Sequence, residues 1–221
     1  MKPTVNVLYF PGTNCHAETL RAFERVGARA ELVFASDVVA GRARLDGADI
    51  LCLPGGFAFG DHVGAGVIAG LLINARMAEQ WAACRKRPVI AICNGFQVAV
   101  QLGAFGAGVA LEANDSGTFR NVPHQPHRVL DNPSPWLRGL AGETLRFPCA
   151  HGEGRFTFLD RSGWLPALAY PPGENPDGST EDIAGVTTPD GLVLGLMNHP
   201  ERSQDDAPYE IFRNGVLAAH A

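Results

Sequence analysis

Cys93 ends an apolar run and is followed directly by a segment of helical character. Residues 90–97 place Ala91 two positions before this cysteine and Gly95 two positions after it. This pattern is typical of a nucleophile elbow, a tight strand-to-helix turn that exposes one side chain and needs small residues on both sides. Free N–H groups at the start of the helix favour a thiolate. A lone cysteine in this setting is more often a small buried hydrophobe, so neighbouring motifs must support the interpretation.

A glycine-rich loop follows another apolar run at residues 54–56. Without side chains, its backbone can approach a substrate closely. One N–H from Gly56 or Phe57 could then pair with that of Asn94 around a developing oxyanion. Two glycines are equally consistent with an ordinary turn.

His199 and Glu201 lie two residues apart after an apolar strand-like run near the end of the sequence. Residues at this spacing point to the same side of an extended chain. Glu201 could accept a hydrogen bond from one imidazole nitrogen while the other nitrogen faces a thiol. In isolation the pair is equally consistent with a surface location. Together with the glycine loop and the elbow, it predicts a Cys-His-Glu triad.

Apolar runs that alternate with helical segments must position these residues. Strands are predicted at residues 5–10, 29–34, 50–53 and 88–93, with a helix at 15–26, for which Asn14 is the N-cap, and a long helix from about 64 to 84. The alternation favours a parallel sheet with helices on both faces. Ligand sites in such sheets lie at the carboxyl ends of the strands, which here are the loops 11–14 and 54–61 and the turn at Cys93.

The second half of the chain is richer in Pro, Gly and Asn and predicts a more antiparallel arrangement. Strands are expected at residues 145–148, 155–158, 183–187 and 192–197, with a hairpin turn at 188–191. No linker separates the halves, so residues 1–221 are expected to form a single domain.

Composition and charge exclude several classes of function. The 221 residues are 46% hydrophobic, and 18 basic against 23 acidic residues give a net charge of −5, which argues against a nucleic-acid or anionic-membrane surface. The uncharged stretch near the middle, at residues 62–75, is shorter than the roughly 20 apolar residues that a membrane span needs, and no signal-peptide pattern is present, so a cytoplasmic location is expected. Five cysteines without a C-x-x-C pair argue against a disulfide framework and a zinc site. Neither a phosphate-binding nor a dinucleotide-binding glycine motif occurs, so no ATP or dinucleotide cofactor is expected in this chain. The histidines share no ligand-like spacing with carboxylates or cysteines, so no metal is expected.

Further short motifs surround the three main ones and extend over nearly the whole chain. They include an Asn-Cys loop, a Gly-Asp loop and an Ala-His-Gly-Glu-Gly segment. The motif-bearing segments are residues 10–15, 55–61, 93–97, 150–154, 175–179 and 198–202.

With these motifs the chain resembles class I (triad-type) glutamine amidotransferases, and among them the glutaminase subunits of phosphoribosylformylglycinamidine synthase. The resemblance implies an α/β, flavodoxin-like fold and the roles of nucleophile for Cys93, base for His199 and orienting carboxylate for Glu201. It also implies oxyanion or substrate contacts from the segments of the glycine loop and the elbow, namely Gly56, Phe57, Asn94 and Gln97.

The implied reaction is hydrolysis of L-glutamine through a cysteine thioester. The ammonia would serve a partner synthetase that makes formylglycinamidine ribonucleotide from formylglycinamide ribonucleotide in de novo purine biosynthesis. ATP and Mg²⁺ would belong to that partner, and a small accessory subunit is also implied. Alternatives are an amidotransferase for another synthetase, a related cysteine hydrolase, which usually has His where Asn94 stands, and a non-catalytic subunit, against which the intact triad argues.

The remaining candidates are assigned secondary roles. Cys15 is interpreted as structural or supporting, and His151 with Glu153 as part of the site wall or of a partner-binding face. The turn at Asp177 is interpreted as a turn only. Residues 116–125 depart from the family pattern. Surface or capping roles are expected for His16, His62, His124 and His127.

Overall fold

The centre of the protein is a nine-stranded mixed sheet, accompanied by a separate two-stranded sheet. The structure is a computed structural model that describes residues 1–220. In chain order the strands are β1 Thr4–Tyr9, β2 Arg29–Phe34, β3 Ile50–Leu53, β4 Val89–Ile92, β5 Val109–Glu112, β6 Arg120–Val129, β7 Thr144–His151, β8 Arg155–Phe158, β9 Leu165–Ala169, β10 Ile183–Thr187 and β11 Val193–Leu196.

One half of the large sheet is parallel, in the order β2-β1-β3-β4-β11. This is the 2-1-3-4-5 order of flavodoxin-like folds. Every residue of β3, β4 and β11 is buried, so both faces of the sheet are covered there. These strands have continuous apolar sequences because none of their residues is exposed to solvent.

The other half is antiparallel and continues the same sheet through β10, β9, β6 and β7. The hairpin between β10 and β11 turns at residues 188–192, where Gly191 has a φ of 73°. The small sheet pairs β5 with β8.

Six helices pack around the sheet in the described part of the chain. Helix α1 packs against α6, with Phe23 and Phe212 edge to face at a centroid distance of 5.1 Å, and α3 packs against α4 and α5. No helix among residues 1–220 is long and apolar enough to cross a membrane. The helices are α1 His16–Arg25, α2 Ala35–Val39, α3 Val67–Arg76, α4 Ala78–Cys84, α5 Asn94–Gln101 and α6 Tyr209–Ala218.

Several sequence-based expectations need correction. The long helix predicted from about 64 to 84 is two helices, because Met77 has a φ of −136° and interrupts the helical backbone. Helix α1 has Cys15 rather than Asn14 at its N-cap position, and no side chain caps it. Strands β5, β6 and β9 and helices α2 and α6 were not predicted.

The carboxyl ends of β1, β3, β4 and β11 lie at one edge of the sheet, because these four strands are parallel. They lead into the loops that carry, respectively, Cys15, the glycine loop, Cys93 and His199. The topology therefore brings together residues that lie far apart in sequence.

Candidate active site

Cys93 occupies a strained turn between β4 and α5. Its φ of 52° and ψ of −114° lie outside the regions that non-glycine residues usually adopt. The turn brings α5 so close to β3 that a Cβ atom at Gly95 would lie 1.9 Å from the carbonyl oxygen of Leu53. Position 95 is therefore restricted to glycine for a steric reason, as the elbow pattern requires.

Gly55 forms the floor on which three functional side chains meet. A Cβ atom at this position would lie 2.8 Å from His199 Cε1, 3.2 Å from Cys15 Sγ and 3.4 Å from Cys93 Cβ. The missing side chain leaves the space in which the two thiols and the imidazole pack together. The glycine loop after β3 thus has a packing role as well as a backbone role.

His199 and Glu201 form a buried pair. The His199 Nδ1 and Glu201 Oε1 atoms are 2.7 Å apart, and the two residues are only 2% and 3% exposed. Burial disfavours the charged imidazole, but the negative charges of Glu201 and Cys93 outweigh it and raise the pKa of His199 well above its ordinary value. The backbone N–H of His199 donates to the Pro148 carbonyl oxygen of β7 at 2.8 Å.

The glycine loop presents different backbone groups to its two sides. The Phe57 N–H donates to Gly12 O at 3.0 Å, and the Cys15 N–H donates to Gly55 O at 3.1 Å. Because the C=O and N–H of a trans peptide point in opposite directions, the Gly56 N–H and the Gly56 carbonyl both point away from the loop at residues 11–15. In this structure Gly56, rather than Phe57, has a free donor facing the Cys93 side.

The side chains of Asn94 and Gln97 hold the glycine loop against α5. Asn94 Oδ1 accepts from the Ala58 N–H at 2.9 Å, and Asn94 Nδ2 donates to Asp61 Oδ1 at 3.0 Å and to Gln97 Oε1 at 2.9 Å. Gln97 Nε2 donates to Glu153 O at 2.7 Å. Both amides are therefore engaged within the protein.

Two adjoining cavities open beside Cys93, with volumes of about 250 and 300 Å³. The smaller one reaches Cys15, His199 and Arg202. The larger one contains two carboxylates, those of Asp61 and Glu153, and burial raises the pKa of Asp61. The lining shared by both cavities comes from Gly56, Phe57, Cys93, Phe119 and Ala150.

Sequence reasoning assigned no site role to several of these lining residues. Phe119 and Asn121 belong to the stretch that departs from the family pattern, so no motif identified them. Asp61 lies within the Gly-Asp loop, and this motif could have identified it as a lining residue. Glu153 lines the larger cavity, in agreement with the expectation that it forms part of the site wall.

A buried polar network lies behind the triad and centres on Asn198. Its Nδ2 donates to His127 Nε2 at 2.6 Å and to the Tyr170 hydroxyl at 3.2 Å, and its Oδ1 lies 3.0 Å from His151 Nε2. Burial lowers the pKa of His127 to about 3 and that of His151 to about 4. Asn198, which directly precedes His199, is thus fixed by neutral imidazoles.

The expectation that His127 lies on the surface is wrong. Its ring is fully buried on β6 and stacks on Phe147 with a centroid distance of 3.8 Å. An isolated histidine in an irregular sequence gives no sign of such stacking, since β6 itself was not predicted.

The interpretation of Asp177 as a turn residue only is also wrong. Its carboxylate is fully buried, accepts from the Tyr170 hydroxyl at 3.0 Å and from Ser179, and lies 3.6 Å from His151 Nε2. Burial raises the pKa of this carboxyl group. Asp177 therefore anchors the network that holds Asn198.

Residues 2–215 match the CobB/CobQ-like glutamine amidotransferase domain, and the chain therefore belongs to this family. It is 38% identical over 207 residues to phosphoribosylformylglycinamidine synthase subunit PurQ of Cereibacter sphaeroides, which covers 91% of this chain and 89% of that protein. The subunit of the same name from Thermus thermophilus is 36% identical over 217 residues, or 90% and 89% of the two chains.

Among solved structures, PurLQS from Thermotoga maritima matches with a TM-score of 0.82 and 33% identity, over 99% of this chain and 97% of that one. A putative GMP synthase protein from Thermoplasma acidophilum, at 16% identity over 100% of this chain and 95% of that one, shares the fold with a TM-score of 0.63. The predicted family and α/β fold are confirmed.

The buried imidazole of His127 predicts a pH dependence of stability. Its pKa of about 3 lies below the ordinary value of 6.5, so on acidification the unfolded chain takes up a proton that the folded chain does not. The stabilisation is complete above pH 6.5 and is lost as the pH falls from there towards 3. His127→Asn should reduce the slope of unfolding free energy against pH by about 1.4 kcal/mol per pH unit below about pH 5.5, measured by urea unfolding.

His124→Asn is the matched control, because His124 lies on the same strand and is exposed. It should leave the slope unchanged. Equal slopes for wild type and His127→Asn would contradict the assignment of a neutral buried imidazole.

Proposed function

We propose that the chain is the cytoplasmic glutaminase subunit of a phosphoribosylformylglycinamidine synthase and acts as a single domain. The observation that carries this proposal is the meeting of Cys93 and the His199–Glu201 pair over Gly55, at the carboxyl ends of parallel strands. Relatives named as subunits of that synthase match about nine-tenths of the chain, which supports the particular reaction.

The first half of the reaction forms a thioester. Cys93 Sγ attacks the side-chain amide carbon of glutamine, and His199 takes the thiol proton on Nε2. Glu201 keeps the other imidazole proton on Nδ1 and stabilises the imidazolium. His199 then passes its proton to the leaving nitrogen, which departs as ammonia. In the second half, His199 removes a proton from water and the hydroxide attacks the thioester carbon. The C–S bond then breaks, Cys93 Sγ takes the proton back from His199, and glutamate leaves.

Oxyanion stabilisation in both halves requires donors beside Cys93. We assign this role to the backbone N–H groups of Gly56 and Asn94, which flank the thiol from the glycine loop and the start of α5. Asn94 and Gln97 contribute through their side chains by holding the loop in place. Phe57 takes a substrate-lining role from its exposed ring.

The larger cavity fits the amino-acid end of glutamine. Its two carboxylates, Asp61 and Glu153, provide negative charge for an α-ammonium group, and its opening reaches Cys93. A volume of about 300 Å³ accommodates one amino acid.

The ammonia must reach a synthetase before it is protonated and lost. Phe57 and Phe119 are 48% and 55% exposed at the mouth of the site, an arrangement suited to docking of the synthetase subunit. We place ATP and Mg²⁺ in that partner, together with a small accessory subunit in the assembly, and assign neither cofactor nor metal a catalytic role in this chain.

Stimulation by the synthetase is a further prediction. The Gly56–Phe57 peptide is held by Gly12, to which the Phe57 N–H donates, so the Gly56 carbonyl points away from Gly12. Turning over this peptide would add the Phe57 N–H to the donors of Gly56 and Asn94. Gain of one oxyanion donor is worth about 10²–10³-fold in kcat. Glutamate release should therefore rise at least ~10-fold when the synthetase, formylglycinamide ribonucleotide and ATP are added.

A free chain that is fully active and unresponsive to the synthetase would indicate an independent glutaminase. A chain that docks but releases no glutamate under any condition would indicate a non-catalytic subunit. Stimulation by a different synthetase alone would overturn the assigned pathway while retaining the glutaminase.

Cys93→Ala is expected to abolish glutamine-dependent synthesis in the assembled enzyme while free ammonia still supports the partner's reaction. A glutamine-mimicking electrophile should label Cys93 and leave Cys15 unmodified, as peptide mass spectrometry would detect. Cys84→Ala, on α4 and remote from the cavities, serves as the control. Labelling of Cys15 in preference to Cys93 would contradict the assignment of Cys93 as the nucleophile.

Glu201→Gln should lower kcat by about 10²–10⁴-fold, because the amide supports neither the orientation nor the charge of the imidazole. The pKa of His199, followed by NMR, should fall in the same variant, since the charge of Glu201 raises it. Glu210→Gln on α6 is the control, as that carboxylate pairs with Arg213 on the surface. Retention of activity within about threefold would require a different orienting group.

A further inference from the structure

Cys15 is a buried thiol that the proposed reaction does not use. Its Sγ lies 3.9 Å from His199 Nδ1. Glu201 Oε1 lies 2.7 Å from the same nitrogen. One donor atom from each of the three residues lies within 4.8 Å of the other two, and all three side chains are buried. A thiol, an imidazole and a carboxylate therefore converge on one point.

Glu201 has a second oxygen that remains unsatisfied. Its Oε2 is buried and has no hydrogen-bond partner among the described residues. An unpaired buried carboxylate oxygen is costly, and it is a lone pair available to a cation. Among residues 1–220, Cys15 Sγ makes one other side-chain hydrogen bond, to Asn14 Oδ1 at 3.2 Å, so its sulfur is also available.

These donors fit a thiophilic divalent cation of the zinc type. Zinc binds cysteine sulfur at about 2.3 Å, histidine nitrogen at about 2.0–2.1 Å and carboxylate oxygen at about 2.0–2.2 Å, in tetrahedral geometry. Those lengths place the sulfur and nitrogen about 3.5 Å apart. The 3.9 Å separation between Cys15 Sγ and His199 Nδ1 therefore needs only a small adjustment. The cavity of about 250 Å³ that reaches Cys15 and His199 provides an entry path and room for a water as fourth ligand.

We propose that Cys15, His199 and Glu201 form an inhibitory site for Zn²⁺. The cation takes the place of the Nδ1 proton of the doubly protonated His199 ring, between His199 and Glu201. This proton and the proton of the Cys15 thiol both pass to solvent as the Zn–N and Zn–S bonds form. The neutral imidazole then carries its one proton on Nε2. In that form Nε2 cannot accept the thiol proton of Cys93, so the metal blocks the base without touching the nucleophile.

Equilibrium dialysis of the full chain against buffered Zn²⁺ tests the binding independently of activity. Wild type should bind one Zn²⁺ at this site. Cys15→Ser and Cys15→Ala should weaken binding by more than the ~10–100-fold that loss of an outer-shell partner costs, since a direct ligand is removed. Circular dichroism checks that each variant is folded. Cys84→Ser is the matched control with unchanged affinity.

Cys93→Ala separates this site from the catalytic thiol. It should bind Zn²⁺ as wild type does, although it is expected to be inactive. With Co²⁺ as probe, the thiolate-to-metal absorption band should persist in Cys93→Ala and disappear in Cys15→Ser. Zinc should inhibit wild-type glutamate release reversibly on addition of a chelator, and each variant is compared with its own metal-free rate.

Unchanged Zn²⁺ affinity in both Cys15 variants would overturn the proposal, as would loss of binding in Cys93→Ala, which would place the metal on Cys93. A chain that binds Zn²⁺ through Cys15 but releases no glutamate would retain the metal site and reject only the glutaminase function.

Discussion

Two close approaches at glycines, of backbone to backbone at Gly95 and of side chains to backbone at Gly55, are the constraint on which the site depends. At Gly95, a Cβ would lie 1.9 Å from the Leu53 carbonyl oxygen, and at Gly55 it would collide with His199. The elbow and the loop after β3 can therefore touch only where side chains are absent. This contact places the Cys93 thiol, the loop amides and the imidazole within one small volume. Close packing allows no compensation for an added methyl group there.

The antiparallel half of the sheet supplies the contacts that fix His199 and Asn198 after the last parallel strand. His199 follows the last parallel strand, but its backbone is fixed by Pro148 of β7, and its neighbour Asn198 is fixed by His127, His151 and Tyr170. A buried amide with three partners has one arrangement that satisfies all of them. The irregular half of the chain thus determines the direction in which the base points. This explains why polar residues of β6 and β7 are buried.

Local patterns in the sequence predicted the parallel half well. Strands β2 and β3 have the predicted boundaries, and the motifs identified the residues that meet over Gly55. The second half was predicted less completely. Local sequence patterns mark β8 and β10, whereas the other strands there depend on contacts that are distant in sequence. Strand β6 contains two prolines, and the side-chain partners of its polar residues lie between β9 and β10 and just after β11, so no periodicity marks it. The burial of His127 has the same origin, since it packs against Phe147 and Asn198, which are distant in sequence.

Two thiols share the site, and their surroundings assign them different chemistry. Both Cys15 and Cys93 directly precede a helix. Burial, reinforced by the charges of Glu201 and Cys93, raises the pKa of Cys15 in spite of its contact with His199. At neutral pH this sulfur therefore keeps its proton and does not compete for glutamine. A cation that displaces the Cys15 thiol proton favours the thiolate, because the charge of the cation offsets that of Glu201. Burial thus keeps the second thiol inert, and the carboxylate that pairs with His199 adds to this effect and supplies the charge that a metal would need.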